Sequence, residues 1–365
     1  MSTIFGALTG NVQARIDAAD AAKKQVFLYR DILSALFDWG LPTIDTDFKT
    51  ILGRYGISIA APTIELGSGE PLVGSRGVET FSNEMFRHAI SSEIDADTRR
   101  KILKILDSRS LISDSEKKKQ LVEIMFGNVK DRVDGVYAKL FMVAMGMLSN
   151  KGRFEYTDDN NPEGAVRGVV EQKFKNSANV TTGWTSANAP NVDVFSDIIG
   201  LINGFPDLRF DRILLSPSRL AYILNNSNMR KAVFGVDKSH SPLLLSTLNS
   251  FMRQNELPEF FPIRSVVRIQ SPTAPGMAKN ITAFNDKNLV FIPAGKIGVI
   301  ENAFTDDELE PSEGVAYSKV DRVVISQWST GRKEGGSNTD YIAAETIAQP
   351  VFTSADGMAT LTVES

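Results

Sequence analysis

Two histidines, His88 and His240, are the only imidazoles in a 365-residue chain that contains no cysteine. A hydroxyl nucleophile would need one of them as its general base, with a carboxylate to orient the ring. His88 stands in Phe86-Arg87-His88-Ala89, a locally basic segment. His240 stands in Lys238-Ser239-His240-Ser241-Pro242, which reads as a polar turn leading into a helix. Neither has an acid at a telling spacing, so an intracellular serine hydrolase is the weakest reading that the chain admits. Paired carboxylates for glycoside chemistry cannot be picked out of 44 acidic residues by spacing alone. The missing cysteine removes disulfides, thiolate nucleophiles, iron–sulfur clusters and cysteine zinc sites together.

Three other clusters carry chemistry-bearing residue types. Gly67-Ser68-Gly69 has the look of a phosphate loop, but Leu72 stands where a dinucleotide fingerprint needs its third glycine, and no Gly-Lys-Ser/Thr follows. It reads as a flexible loop. Asp158 to Gly164 has the carboxylates of a calcium loop, yet Pro162 replaces the third ligand and Val169 occupies the distal glutamate position. It reads as a solvated turn. Asp306-Asp307-Glu308 with Glu310 and Glu313 could hold a divalent cation, but the cluster has neither ligand spacing nor a histidine. The sequence thus assigns no catalytic residue, no cofactor and no metal site. Its physics describes a scaffold.

The elements that would position such groups are dominated by one helix, read from Ser113 to Gly152. At 1.5 Å per residue, ~37 residues make a rod of ~55 Å, several times the usual helix length. Ser113-Asp114-Ser115-Glu116 is a capping box at its start, and Lys151-Gly152 supply a cation and a left-handed terminator at its end. Val122, Met125, Val129, Val133, Val136, Leu140, Ala144 and Met147 form one apolar stripe. Such a rod needs a broad layer to lie on. Gly127, Gly135 and Gly146 inside it either bend it, admit a close neighbour, or are overridden by burial.

Before the rod, Val12–Trp39 favours helix up to the break at Gly40-Leu41-Pro42, and reads as an arm that packs on something else. Ile57 to Phe81 reads as a glycine-rich hairpin or loop with little of its own to bury, followed by a short helix at about 96–106. After the rod, Arg153–Tyr156 and Ala165–Phe174 form a hairpin, Val192–Asn203 a helix, and Arg212–Leu215 a buried strand with Pro217 opening the next helix. Val266–Gln270, Leu289–Ile292 and Ile297–Ile300 continue the strands of a mixed α/β domain, and Val320–Gln327 and Met358–Val363 are final strands that return to the sheet under the rod.

A net charge of −4 provides no basic footprint for gripping nucleic acid. Met1 to Asp17 lacks a basic segment followed by an apolar run, and Leu140–Leu148 is too short to span a bilayer, so synthesis and folding in the cytoplasm are expected.

An arm, a glycine-rich loop, a rod over a sheet and a separate mixed domain describe an assembly subunit. In that order the segments resemble the tailed-phage major capsid proteins of the lambda major-head-protein type, and through them the Hong Kong 97-type capsid fold. Gly74-Ser75-Arg76-Gly77 is similar to the tip of that family's extended loop, and Asp114–Lys151 to its spine helix. Gly183-Trp184 before Val192–Asn203 resembles the lead-in to its axial domain, and Asp211–Pro217 its strand–proline–helix step. Asn288–Pro293 with Gly298, and Gln349-Pro350-Val351, resemble its C-terminal strand and closing proline segment.

The resemblance implies an α+β capsid fold: arm 1–53, extended loop 54–90, peripheral domain 91–191 with spine helix 114–151, axial domain 192–319, and C-terminal strands 320–365 returning to the peripheral domain. It implies a non-enzymatic major capsid protein that forms the icosahedral shell around the double-stranded DNA of a tailed bacteriophage. Its partners would be itself in hexamers and pentamers, a portal, a scaffold or head protease, a decoration protein and, non-specifically, packaged DNA, with no membrane. The virion would be its final location, after assembly in the host cytoplasm and procapsid maturation. The intersubunit contact would be made by Gly67, Gly69, Gly74, Ser75, Arg76 and Gly77. Some relatives weld subunits through a loop lysine; Ile57–Phe81 has none, only Arg76, so a non-covalent shell is expected. An encapsulin-like nanocompartment shell, loaded with cargo enzyme, shares the fold and is the nearest alternative.

Overall fold

The computed structural model describes residues 27–52, 79–94, 100–101, 104–105, 114–162, 164, 166–188, 192–236, 240–271, 277–330 and 339–364. They fall into two compact units, each assembled from separated stretches of chain. The first takes residues up to Phe48, Asn83–Phe141 and Ile300–Pro350; the second takes Lys49–Ser82, Met142–Val299 and Val351 onward.

The first unit is built on a six-stranded sheet. β1 (Phe37–Trp39), β13 (Gly298–Ala303), β16 (Thr339–Val351), β15 (Val323–Thr330) and β14 (Ala316–Val320) follow in that order, and β4 (Phe86–Glu93) also pairs with β16. The ladders of β15 with β14 and β16, and of β4 with β16, are antiparallel. Helix α1 (Leu28–Leu36) precedes β1, and Phe27, Leu33, Leu36 and Phe37 are all buried. The Tyr29 ring packs tilted against Phe141 with centroids 5.1 Å apart, and the Tyr137 hydroxyl donates to Asp321 at 3.1 Å.

Within the segment expected as an arm over 1–53, Phe27, Leu33, Leu36 and Phe37 are core of the first unit, and Phe37–Trp39 is strand where helix was read. Tertiary pairing overrides the local propensity there, because Gly40 N–H closes the β1 edge on the Ile300 carbonyl at 2.9 Å. Residues 86–90, assigned to the loop by the sequence, are in the sheet.

The rod is α2, Asp114–Ser149, 36 residues without interruption. Its capping-box side chains lie outside the described residues. Val129, Val133, Val136, Leu140, Ala144 and Met147 of the stripe are buried, but from Val136 to Ser149 every residue except Lys139 is buried, so this half is enclosed on all sides and has no single apolar face. Gly146 is there for close packing: a β-carbon would stand 2.4 Å from the Phe154 ring. The terminator is not glycine alone. Lys151 itself is left-handed (φ 57°) and Gly152 N–H reaches back to the Met147 carbonyl at 2.8 Å, the long bond of a Schellman end. Gly152 has φ 89° for a separate reason, since a β-carbon would lie 1.7 Å from the Gln172 carbonyl oxygen.

The second unit is mixed α/β. Its sheet runs β7 (Ser177–Asn179), β17 (Ala359–Thr362), β12 (Asn288–Ile292), β8 (Arg212–Leu215), β9 (Glu259–Pro262). β12 is central and wholly buried, antiparallel to β17 and β8, while β7 and β9 add in parallel at the edges. The closing strand therefore completes this sheet and does not return to the one that carries β16. Its partner face is hydrophobic: Leu361, Leu289 and Ile213 meet helices α3 (Val194–Gly204), α4 (Pro217–Asn225), α5 (Ser227–Phe234) and α6 (Leu245–Gln254) through Ile198, Ile223, Met229, Leu248 and Met252. Pro217 opens α4 as read, with Ser216 Oγ accepting the Arg219 N–H at 3.1 Å. Two ribbons complete the unit, β5 (Arg153–Tyr156) with β6 (Gly168–Glu171) and β10 (Val266–Gln270) with β11 (Ala278–Thr282). A further ribbon pairs β2 (Asp47–Leu52) with β3 (Glu79–Glu84), the described base of the segment read as an extended loop.

Candidate assembly interface

The six residues assigned to intersubunit contact, Gly67, Gly69, Gly74, Ser75, Arg76 and Gly77, lie outside the described residues. The site that the described residues do build is the outer face of the first unit's sheet. Alternation decides which side chains reach it. Along β4, Arg87, Ala89 and Ser91 share one face with Glu345 and Ala343 of β16, Ser326 and Trp328 of β15, and Tyr317 of β14. His88 turns to the opposite, buried face.

On the outer face a cleft of about 360 Å³ is lined by Arg87, Ser91, Asp307, Tyr317, Trp328 and Glu345. Arg87 Nε donates to Glu345 Oε2 at 2.8 Å and Nη2 forms the second contact with the same oxygen. The carboxylate is almost fully covered, whereas the guanidinium is 60 % exposed. That hydrogen bond, with burial opposing it and Asp306 and Asp307 supporting it, raises the Arg87 pKa further above its ordinary value. Trp328 stacks on Tyr341 with centroids 5.3 Å apart. An aromatic pair beside a half-exposed cation is the composition of a contact surface.

The acidic cluster of the sequence sits at one rim, in the short helix α7 (Asp306–Leu309), and is consumed internally. Glu308 caps the helix through the Thr305 N–H at 3.0 Å and pairs with Lys319. Burial alone would raise its carboxyl, but the Lys319 contact and the cap outweigh it and hold the pKa below the ordinary value. Asp307 accepts from the Tyr317 hydroxyl at 3.2 Å. Glu310 and Glu313 are exposed. The Asp158 turn is likewise spent on its own neighbours: Asp158 pairs with Arg167 at 2.5 Å, Asp159 with Lys279 at 3.0 Å, and Asn160 caps the turn through Thr157 and Glu155.

Neither histidine meets a serine and an acid among the described residues. His88 is enclosed, with one ring nitrogen bonded to the Ala348 carbonyl and Nε2 without a hydrogen-bond partner. Burial first, and the Lys139 charge second, lower its pKa from 6.5 to about 4 despite the carbonyl bond. His240 is exposed ahead of α6. The carboxylate–hydroxyl cluster that does exist belongs to Arg219 in the second unit, with no imidazole. Arg219 is buried and donates to the Trp184 carbonyl at 2.6 Å, the Asp286 carbonyl at 3.0 Å and Glu364 at 2.9 Å. Ser218 donates to Asp286 at 2.7 Å and Ser216 to the same oxygen. Burial raises the Asp286 carboxyl, yet these two hydroxyls and Arg219 lower it further, so the net displacement is downward. Trp184 stacks on Tyr222 and donates Nε1 to Asp197 at 2.8 Å. The residues Gly183-Trp184 and Ser216-Pro217, singled out in the sequence, are thus joined by one arginine that no spacing rule pointed to. The Arg87–Glu345 pair was also missed; the only signal for it was the alternation of Arg87 out and His88 in.

No described helix is long and apolar enough to cross a membrane. No family model and no curated protein matches the sequence. Solved structures do. A prophage protein of E. coli CFT073, assigned as a capsid protein, superimposes with a TM-score of 0.57 at 11 % identity over 97 % of this chain and 98 % of that one. The capsid of Myoviridae phage XM1 is similar at 0.43, 9 % identity, over 91 % and 90 %. The SrpI encapsulin of Synechococcus elongatus PCC 7942 is similar at 0.39, 9 % identity, over 93 % and 89 %. The first of these fixes the fold: the described residues have the capsid-protein architecture that the resemblance implied.

Proposed function

We propose that this chain is the major capsid protein of a tailed bacteriophage, a structural subunit that closes an icosahedral shell around double-stranded DNA. The observation that carries the reading is the likeness to the prophage capsid protein over 97 % of this chain. The first unit, with the rod's N-terminal part and the six-stranded sheet, is assigned the peripheral role, and the second the axial role. The outer sheet face and the loop 54–78 are its contacts with other copies, arranged as hexamers and pentamers whose symmetry closes the surface. A net charge of −4 suits a shell that must hold DNA without gripping it.

A nanocompartment shell would have the same fold, so the fold does not separate the two; the contents of the particle do. Light scattering after size exclusion tests the shared core of both readings. The expected result is a mass of capsomers or shells, many times the 40.0 kDa chain. A monomer at every concentration would overturn it. Extracted nucleic acid from particles made during infection supports the phage head, and a stoichiometric enzyme cargo would replace it with the nanocompartment.

A further inference from the structure

We propose that β4 is a self-complementary sheet edge that pairs antiparallel with β4 of a second copy, about a two-fold axis passing through Ile90. The place of that contact in a shell rests on the reading above; the pairing itself does not.

The backbone register comes first. Ile94 N–H donates to the Asp340 carbonyl at 2.8 Å, and the ladder continues with Glu93 opposite Tyr341 back to Phe86 opposite Ala348. In an antiparallel pair, alternate residues turn their N–H and C=O toward the partner. Residues 94, 92, 90 and 88 therefore bond to β16, and Arg87, Ala89, Ser91 and Glu93 direct theirs outward. Those four residues are exposed, and among the described residues no strand pairs with that edge. It is an eight-residue strand, long for an open edge.

The other unit shows what a protected edge looks like in this chain. At β9, Asn249 Oδ1 accepts the Phe260 N–H at 2.9 Å and Asn249 Nδ2 donates to the Phe260 carbonyl at 3.0 Å, so a side-chain amide takes the place of a neighbouring strand. Pro262 then removes a donor from the same strand. On β4 no side chain among the described residues does this, and the two central outward positions are the small residues Ala89 and Ser91.

The side chains choose the occupant. A two-fold through Ile90 sets Arg87 opposite Glu93 of the second copy, Ala89 opposite its Ser91, and the reverse pairs symmetrically. All four are residues whose backbone groups point outward, so each opposed pair exchanges two hydrogen bonds, roughly eight in total. The ends are then opposite in charge. Arg87 Nε and Nη2 are held by Glu345 while Nη1 makes no bond among the described residues, and Glu93 has no ion pair among them. A one-residue slip would oppose inward-bonded to outward-bonded groups and lose both the ladder and the charge match. The edge thus fits a copy of itself, the isologous contact that a two-fold axis requires.

The absence of cysteine makes the test direct. Ile90 would face Ile90 of the second copy as a non-hydrogen-bonded pair, with Cα atoms ~4.5 Å apart, inside disulfide range. Full-length Ile90→Cys, oxidised at assembly concentration, should run as a dimer on a non-reducing denaturing gel. Glu93→Cys is the register control: on the same exposed edge, it would lie ~20 Å from its own copy and should stay monomeric. Adding Glu93→Arg to Ile90→Cys opposes two arginines at each end and should lower the dimer yield on the order of tenfold. Circular dichroism confirms that the variants are folded, and if Ile90→Cys is not, the effect of Glu93→Arg alone on sedimentation of the otherwise unmodified chain decides. Cross-linking of Glu93→Cys equal to that of Ile90→Cys, or no effect of Glu93→Arg, would overturn the pairing. Electron microscopy of the same samples separates the two ideas: dimers without shells would refute the shell reading alone, and shells without the Ile90→Cys dimer would refute the pairing alone.

Discussion

Replacing His88 by leucine should make the protein less sensitive to acid. The ring is buried on the inner face of the sheet, bonded once to the Ala348 carbonyl, with the Lys139 charge close by. Burial and that charge lower its pKa from 6.5 to about 4. Between those values the unfolded chain carries a proton on His88 that the folded chain does not, so stability rises with pH across the window and is lost on acidification. The contribution is fully present above pH 6.5 and gone near pH 4. At about 1.4 kcal/mol per pH unit, the gap amounts to roughly 3 kcal/mol, a large part of the stability of an ordinary domain. Asp286 and Glu308, both held below their usual range, add acid sensitivity of the same sign at lower pH, but they are common to both proteins. Urea unfolding followed by tryptophan fluorescence at pH 7, 6, 5 and 4.5, below the assembly concentration, gives the two curves. The wild-type curve should fall more steeply than that of His88→Leu between pH 6.5 and 4. Parallel curves would show that the ring is hydrated or already paired, and would refute the reasoning.

Four further outcomes are expected, three from the packing and one from the proposed intersubunit loop. Val133 is fully buried in α2, so Val133→Asp buries an unpaired carboxylate at a cost of about 3–5 kcal/mol and should yield insoluble protein, read as the soluble fraction on expression. Gly152→Ala forces a methyl onto the Gln172 carbonyl at φ 89° and should cost about 3 kcal/mol or more in thermal unfolding. Gly168→Ala, with φ 145° and nothing within 4 Å, should cost only about 1 kcal/mol. Deleting Gly67–Gly77 should preserve the circular dichroism spectrum and the second unit's fold while abolishing shells by microscopy, and loss of all folded structure would contradict the assignment of that loop to intersubunit contact.

What the sequence revealed was what local chemistry encodes. The rod was readable from its periodicity to within a few residues, because every turn repeats the same apolar requirement. Arg212–Leu215 followed by Pro217 was readable because a buried strand and a proline at the first helical turn each leave a local mark. Other features depend on partners far along the chain. Phe37–Trp39 looks helical until β13 offers an edge, and Ala359–Thr362 could have joined either sheet until β12 and β7 took both of its sides. The enclosure of Val136–Ser149 was hidden for the same reason: periodicity reports one buried face, and burial of the remaining faces depends on residues far along the chain. The glycine-rich segment read as a loop lies outside the described residues, and a contact residue in it would be defined by another copy. The Arg87–Glu345 pair spans 258 positions, and no motif joins residues that far apart. The outward register of β4 could be read only after its ladder with β16 was known.

Electron microscopy of the purified full-length chain tests the central claim most directly. Closed particles with icosahedral symmetry, built from five- and six-membered rings into which both units fit as repeating densities, are the predicted result. Dispersed single chains, or a small discrete oligomer that never closes a surface under any assembly condition, would contradict it.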